Sequence, residues 1–206
     1  MKIRAGILPA MVFAIFLCTA SEAAPADSSE SATLQGACDI AFFVTSTLHD
    51  FPGSARCRPF TVPVARDASG KEVIPVLQVE VPVAGMATGN RTRDGQMREM
   101  FQSDRFPGIL GKAHDVDVER LRAEVGKGHE GKVPLDLVLR IREAERKIHA
   151  TASYLKTSGD RVTFDLEFPV SLGEFGLKPP TVFGIIRVGD KVTVKARFSL
   201  IVSRPP

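Results

Sequence analysis

Apolar and polar residues alternate along this chain at two different periods, and each period marks a kind of element. Over 39–48, Ile40, Phe42, Val44 and Leu48 share one face while Thr45 and Thr47 lie on the other, the period of two expected of a half-buried strand. Phe51-Pro52-Gly53-Ser54 has turn chemistry, and a second short strand near Cys57 to Val62 is interrupted by Pro59. After a turn at Asp67-Ala68-Ser69-Gly70, the apolar set Leu77, Val79, Val81 and Val83 opposes outward Gln78 and Glu80. Past Pro134 the alternation is strong: Leu135, Leu137, Leu139 and Ile141; then Ile148, Ala150, Ala152 and Tyr154; then Val162, Phe164, Leu166, Phe168 and Val170. A last hairpin is expected to turn at Gly189-Asp190 between strands over 183–188 and 192–200, the second carrying Val194 and Phe198 inward.

Between 86 and 108 the period changes. Met97, Met100 and Phe101 stand at i, i+3, i+4 behind a break at Gly89-Asn90, with Thr92 as the expected N-cap, so one short amphipathic helix is predicted. The segment 110–133 stays unassigned: Val118, Leu121 and Val125 suit a helical face, whereas His114 to Val118 suits a strand. About eight strands joined by polar turns, with one helix, predict an all-β fold, an eight-stranded antiparallel barrel whose closure leaves no edge exposed. The lone helix must bury its apolar stripe on the sheet or plug an end.

The ends of the chain and its charges narrow the setting. Residues 1–23 carry Lys2 and Arg4, an apolar run from Ile7 to Leu17 interrupted by Pro9, and Ser21 and Ala23 flanking Glu22, the three parts of a cleaved secretory signal. Cys18 follows Phe16 and Leu17 rather than a small residue, so no lipid anchor is expected there. Residues 24–36 lack any period and read as a flexible leader, leaving 37–204 as one domain. Cleavage removes two positive charges and one negative, taking the formal charge from +3 to +2, too little for nucleic-acid binding. It also leaves two cysteines, Cys38 and Cys57. In an oxidising compartment these permit a single disulfide, worth about 3 kcal/mol in the loop-entropy view. Two buried free thiols are the plainer alternative.

Candidate chemistry is sparse. His49 stands beside Asp50, but His49, His114, His129 and His149 have no helix-face or Cys/His ligand spacing, so no metal is expected. Gly126-Lys127-Gly128-His129-Glu130-Gly131-Lys132 has the frame of a phosphate loop, yet Val133 replaces the hydroxyl residue and Pro134 opens a strand; nucleotide binding is rejected. Arg91, Arg93, Arg98 and Arg105 cluster about the helix with Asp94, Glu99 and Asp104 among them, and suit either a solvated face or an anionic head group. The inward apolar set suits either an ordinary core or the lining of a ligand cavity, because alternation does not separate a filled barrel from an open one.

Met86-Ala87-Thr88-Gly89-Asn90, followed by Arg93-Asp94, Met97 and Phe106-Pro107, resembles the YceI-like family. So do Ser46-Thr47-Leu48-His49-Asp50-Phe51-x-Gly53 and the run from Phe175-Gly176 to Val188-Gly189-Asp190. The resemblance spans nearly all of the chain after the signal. It departs from the family at Ala87, where many members are acidic, and over 111–133. It implies a lipocalin-like barrel holding a long isoprenoid or other apolar lipid, with no cofactor and no catalysis, in the periplasm. The lipid-binding positions expected on that basis are Phe42, Val44, Leu77, Val79, Val81, Met97, Met100, Phe101, Leu137, Leu139, Phe164, Leu166, Phe168, Val194 and Phe198. His49, Asn90, Arg91 and Arg93 are the expected head-group positions. Transient contact with a membrane surface and a homodimer remain open as partners. A filled barrel serving as an interaction protein is the first rival reading, and an enzyme acting on a bound isoprenoid is the second.

Overall fold

A computed structural model describes residues 32–125, 131–179, 181–182 and 186–203. The expected signal, the leader to residue 31 and most of the phosphate-loop-like run lie outside these residues. Ten strands, β1 (Ala32–Ser46), β2 (Phe51–Arg56), β3 (Phe60–Arg66), β4 (Glu72–Pro82), β5 (Gly108–Asp117), β6 (Lys132–Ile141), β7 (Ala144–Ser158), β8 (Arg161–Ser171), β9 (Thr181–Val182) and β10 (Ile186–Ser203), are joined in one antiparallel circuit. Along one edge of β1, Ala32–Gly36 pairs with β3 and Asp39–Val44 pairs with β2. Those two segments therefore act as one strand, interrupted at Cys57-Arg58-Pro59. The other edge of β1 pairs with β10 from Thr33 to Ser46, which closes an eight-stranded barrel.

The first strand opens at Ala32, inside the stretch expected to be leader. Ala32 and Leu34 are buried while Thr33 is half-buried and Gln35 exposed, an alternation too short to stand out against the small residues before it. Cys38 and Cys57 are disulfide-bonded across the interruption between β2 and β3, with Cα atoms 5.4 Å apart. The Cys57 amide also donates to the Cys38 carbonyl at 3.1 Å. The link joins positions 19 apart in sequence, closing a loop worth about 3 kcal/mol through the unfolded chain.

Phe51-Pro52-Gly53-Ser54, expected as a turn, opens strand β2, and Leu48, expected inward, is exposed beyond the end of β1. Three further expectations of phase or turn are corrected by bulges or caps. Gly189-Asp190 is not a hairpin turn: β10 runs through it, and the pairing with β1 steps from Val44↔Val192 to Ser46↔Val188. That is a bulge, since four residues of β10 span two of β1. Gly189 permits it, because a Cβ there would sit 2.2 Å from the Thr45 hydroxyl oxygen. The Asp190 carboxylate accepts from the Ser171 hydroxyl and the Gly173 amide, both at 2.6 Å. Tyr154 is half exposed rather than inward. The β7–β8 register shifts between Ser153 and Lys156, and Tyr154 takes a φ of 53°. The cap of α1 (Arg91–Phe101) is Asn90, whose side chain accepts from the Arg93 amide, and not Thr92, which is exposed in the first turn.

Among the described residues there are two α-helices where one was expected. Both readings of the unassigned segment hold in succession: His114 to Asp117 ends β5, and α2 (Val118–Val125) follows at once. The Asp117 carboxylate accepts from the Arg120 amide at 2.9 Å, starting the helix, and Val118 and Leu121 pack on the core.

The interior divides along the barrel axis. At one end Phe164 stacks on Phe198 with centroids 4.8 Å apart, and Phe60 meets Phe198 edge-on at 6.3 Å. Leu34, Val62, Leu166 and Leu200 are buried at the same end, so side chains occupy this part of the interior. The other end, beneath α1, is open inside.

Candidate functional site

The open end is where β1, β4, β6 and β8 finish and β2, β5 and β10 begin. Each of these strands gives the site its inward residues nearest that end. Ile40, Phe42 and Val44 come from β1, Phe51 and Ala55 from β2, Val81 from β4 and Ile109 from β5. Leu139 and Ile141 come from β6, Phe168, Val170 and then Leu172 from β8 and its exit, and Val188, Val192 and Val194 from β10. Together with Met86, Met97, Met100 and Phe101 they enclose a cavity of about 160 Å³. An engineered apolar cavity of roughly 150 Å³ stays dry and takes a benzene-sized guest, so this space is large enough to admit a small apolar group.

α1 closes the cavity because the chain around it is tied down at three points. Ala87 and Ser54 exchange backbone hydrogen bonds of 2.7 and 2.9 Å, and the Val83 amide donates to the Pro107 carbonyl at 2.9 Å. Asn90 caps the first turn. The i, i+3, i+4 set then turns inward: Met97 and Phe101 are buried and Met100 is half-buried. Thioethers adapt to irregular guests, so three of the cavity's walls can repack around one.

Thr88 and Arg93 are the polar residues of this lining. The Arg93 guanidinium lies 3.9 Å from the centre of the Phe51 ring. Its Nε donates to the Thr88 hydroxyl at 2.8 Å and its Nη2 to the Thr88 carbonyl at 2.9 Å. Asp94 accepts from the Thr88 hydroxyl at 2.6 Å and the Thr88 amide at 2.7 Å. The hydroxyl's hydrogen bond, foremost, then the amide's, and the positive charges of Arg98 and Arg93, hold the Asp94 carboxyl below the usual carboxylate range. Arg93, Thr88 and Asp94 thus form one relay at the mouth.

The structure divides the expected site residues by height. Phe42, Val44, Val81, Met97, Met100, Phe101, Leu139, Phe168 and Val194 line the cavity. Leu77, Val79, Leu137, Phe164, Leu166 and Phe198 also belong to the core, but outside the cavity lining and away from α1. Of the expected head-group positions only Arg93 lines the cavity. Asn90 is a helix cap, Arg91 is exposed, and His49 sits in the exposed β1–β2 turn, where its carbonyl accepts from the Ser46 hydroxyl. Phe51 and Thr88 line the cavity without having been expected to, and so do Ile40, Ala55, Ile109, Ile141, Val170, Leu172, Val188 and Val192. The first two lie in the stretches that resemble the YceI-like family, which was the signal available for them. Among the described residues, no group of three or more His, Cys, Asp or Glu side chains could hold a metal ion.

Comparison with known proteins agrees with this architecture. No curated protein sequence matches the chain significantly. Among solved structures, BcnA of Burkholderia cenocepacia superposes with a TM-score of 0.55 at 14% identity, over 79% of this chain and 95% of that one. A polyisoprenoid-binding domain from Saccharophagus degradans, implicated in plant cell wall breakdown, gives 0.52 at 16% identity, over 85% of this chain and 99% of that one. At these identities the likeness is one of fold. The profile of the YceI-like domain matches residues 26–200, and with that match over most of its length the chain belongs to the YceI-like domain family.

Proposed function

We propose that this protein is an exported, non-catalytic carrier that holds a long apolar lipid, an isoprenoid or quinone precursor, with part of the chain in the cavity beneath α1. The observation that carries the reading is the cavity: a closed barrel, packed at one end, keeps about 160 Å³ of space at the other, walled almost wholly by aliphatic and aromatic side chains. Such a wall offers few groups to a reacting centre and a large area to a hydrocarbon. Burying about 200 Å² of chain is worth roughly 5 kcal/mol before the cost of immobilising it. The space is short for a long isoprenoid. Part of such a chain therefore stays outside the enclosed volume, or gains room as Met86, Met97 and Met100 change rotamer.

The fold shared with a polyisoprenoid-binding domain supports this ligand class. The features of residues 1–23 support export, and a disulfide between Cys38 and Cys57 suits an oxidising compartment such as the periplasm. The test is mass spectrometry of organic extracts from the protein purified out of its native host, beside an unrelated exported protein. An isoprenoid or quinone precursor enriched over the control is the expected result. Extracts indistinguishable from the control would sink the carrier reading.

A further inference from the structure

We infer that the stacked rings of Phe164 and Phe198, with Phe60 against them, form the floor of the cavity and so limit the enclosed part of a bound chain to about one isoprene unit. The inference rests on the carrier reading and adds a selectivity for chain length. Down each wall the inward residues leave the cavity and meet the rings. β10 passes from Val194, which lines the cavity, through Ala196 to Phe198, and β8 passes from Phe168 through Leu166 to Phe164. On β1 the step is from Ile40 to Cys38, the Cα partner of Phe198. Cys38, Leu166, Ala196 and Phe198 are buried, and none of them lines the cavity.

Ala196 and the disulfide-bonded Cys38 are short, so on the β1 and β10 side the first bulky groups beneath the cavity are the two rings. Phe164 and Phe198 are Cα partners, and their rings stack with centroids 4.8 Å apart and planes 6° from parallel. Phe60 meets Phe198 edge-on at 6.3 Å, and residue 36 makes room for it. A Cβ on Gly36 would lie 2.3 Å from the Phe60 Cζ and 2.8 Å from the Leu200 Cδ2. Contacts between rings add to the burial of each, and a close-packed interior yields to inserted volume only at a cost. The two ends of the cavity therefore differ: the methionine side chains beneath α1 can change shape around a guest, and the rings hold theirs. The enclosed space of about 160 Å³ is close to the roughly 150 Å³ that takes benzene, and an isoprene unit has one carbon fewer than benzene. Deleting one phenyl ring from the floor would open about as much room again, since a core relaxes only partially around such a loss.

The test is a length series of prenol, geraniol, farnesol and geranylgeraniol, titrated into the protein below their aggregation thresholds. Past geraniol, each added unit should tighten wild-type binding by less than about threefold, because it finds no further enclosed wall. Phe164→Ala and Phe198→Ala should each give a gain of at least about tenfold for one further unit. Phe43→Ala, at an exposed position of β1, should keep the wild-type profile. Wild-type affinity that keeps climbing by more than about threefold per unit would overturn the floor and leave the carrier reading standing. Folded ring variants with the wild-type profile would do the same. Where a ring variant fails to fold, nuclear Overhauser contacts from the terminal methyls of geranylgeraniol bound to wild type decide. Contacts with Phe168 and Val194 and none with Leu34 or Leu200 support the floor; contacts with either leucine overturn it. Failure of every alcohol in the series to bind would overturn both the floor and the carrier reading.

Discussion

Gly53 faces Phe42 across the β1–β2 pair, and the Phe42 ring lies over it: a Cβ on residue 53 would stand 2.0 Å from the ring's Cζ. Because Phe42 lines the cavity, its position there depends on the missing side chain. Gly53→Ala is expected to push the ring into the cavity, lowering stability by about 1–3 kcal/mol as overpacking does and weakening apolar ligands; urea denaturation and lipid titration of the variant read the two effects. Asp94 makes a prediction in pH. Its folded-state pKa lies below the ordinary 3.8, so its bonds to Thr88 contribute fully above the unfolded value and are lost as pH falls through the lower folded one. Asp94→Asn keeps an acceptor but cannot titrate. Thermal melts should therefore show wild type losing more stability than the variant as pH drops below about 4; equal losses would contradict the assigned role.

At the scale of elements, α1 is the piece on which the cavity depends, and its C-terminus is under conformational cost. Gln102 caps the helix in the left-handed region, φ 52° and ψ 54°, while the Ser103 amide reaches back to the Arg98 carbonyl at 3.0 Å. That is the Schellman arrangement, in which glycine is favoured because it has no Cβ to crowd. Gln102→Gly should raise stability by about 0.5–1 kcal/mol, seen as a higher urea midpoint at unchanged slope. The helix itself was legible, since Met97, Met100 and Phe101 carry the helical period. Its cap was not: Asn90 and Thr92 have similar capping chemistry two residues apart, and only the backbone decides between them. The bulges at Tyr154 and Gly189 were hidden for a related reason. The one added residue near Tyr154 inverts the alternation beyond it and the two at Gly189 leave it in phase, in both cases without altering the residue types that sequence reasoning counts.

For the whole molecule, the barrel was readable because eight runs of alternation with polar turns leave few closed alternatives. What alternation does not contain is height along the axis. Phe164 and Phe168 have the same inward phase on β8, yet the first packs on Phe198 and the second lines the cavity. The filled and open barrels weighed from sequence are therefore two ends of one molecule. Of the five methionines, Met1 and Met11 fall in the expected signal, while Met86, Met97 and Met100 all line the cavity. Methyl-labelled methionine at these three positions thus reports from the proposed site. NMR titration with farnesol of protein labelled at its methionine and leucine methyls is the most direct test of a ligand cavity beneath α1. All three methionine methyl signals should move along one saturation curve while the methyls of Leu34 and Leu200, at the packed end, stay in place; methionine signals that do not move at saturating farnesol would contradict the account.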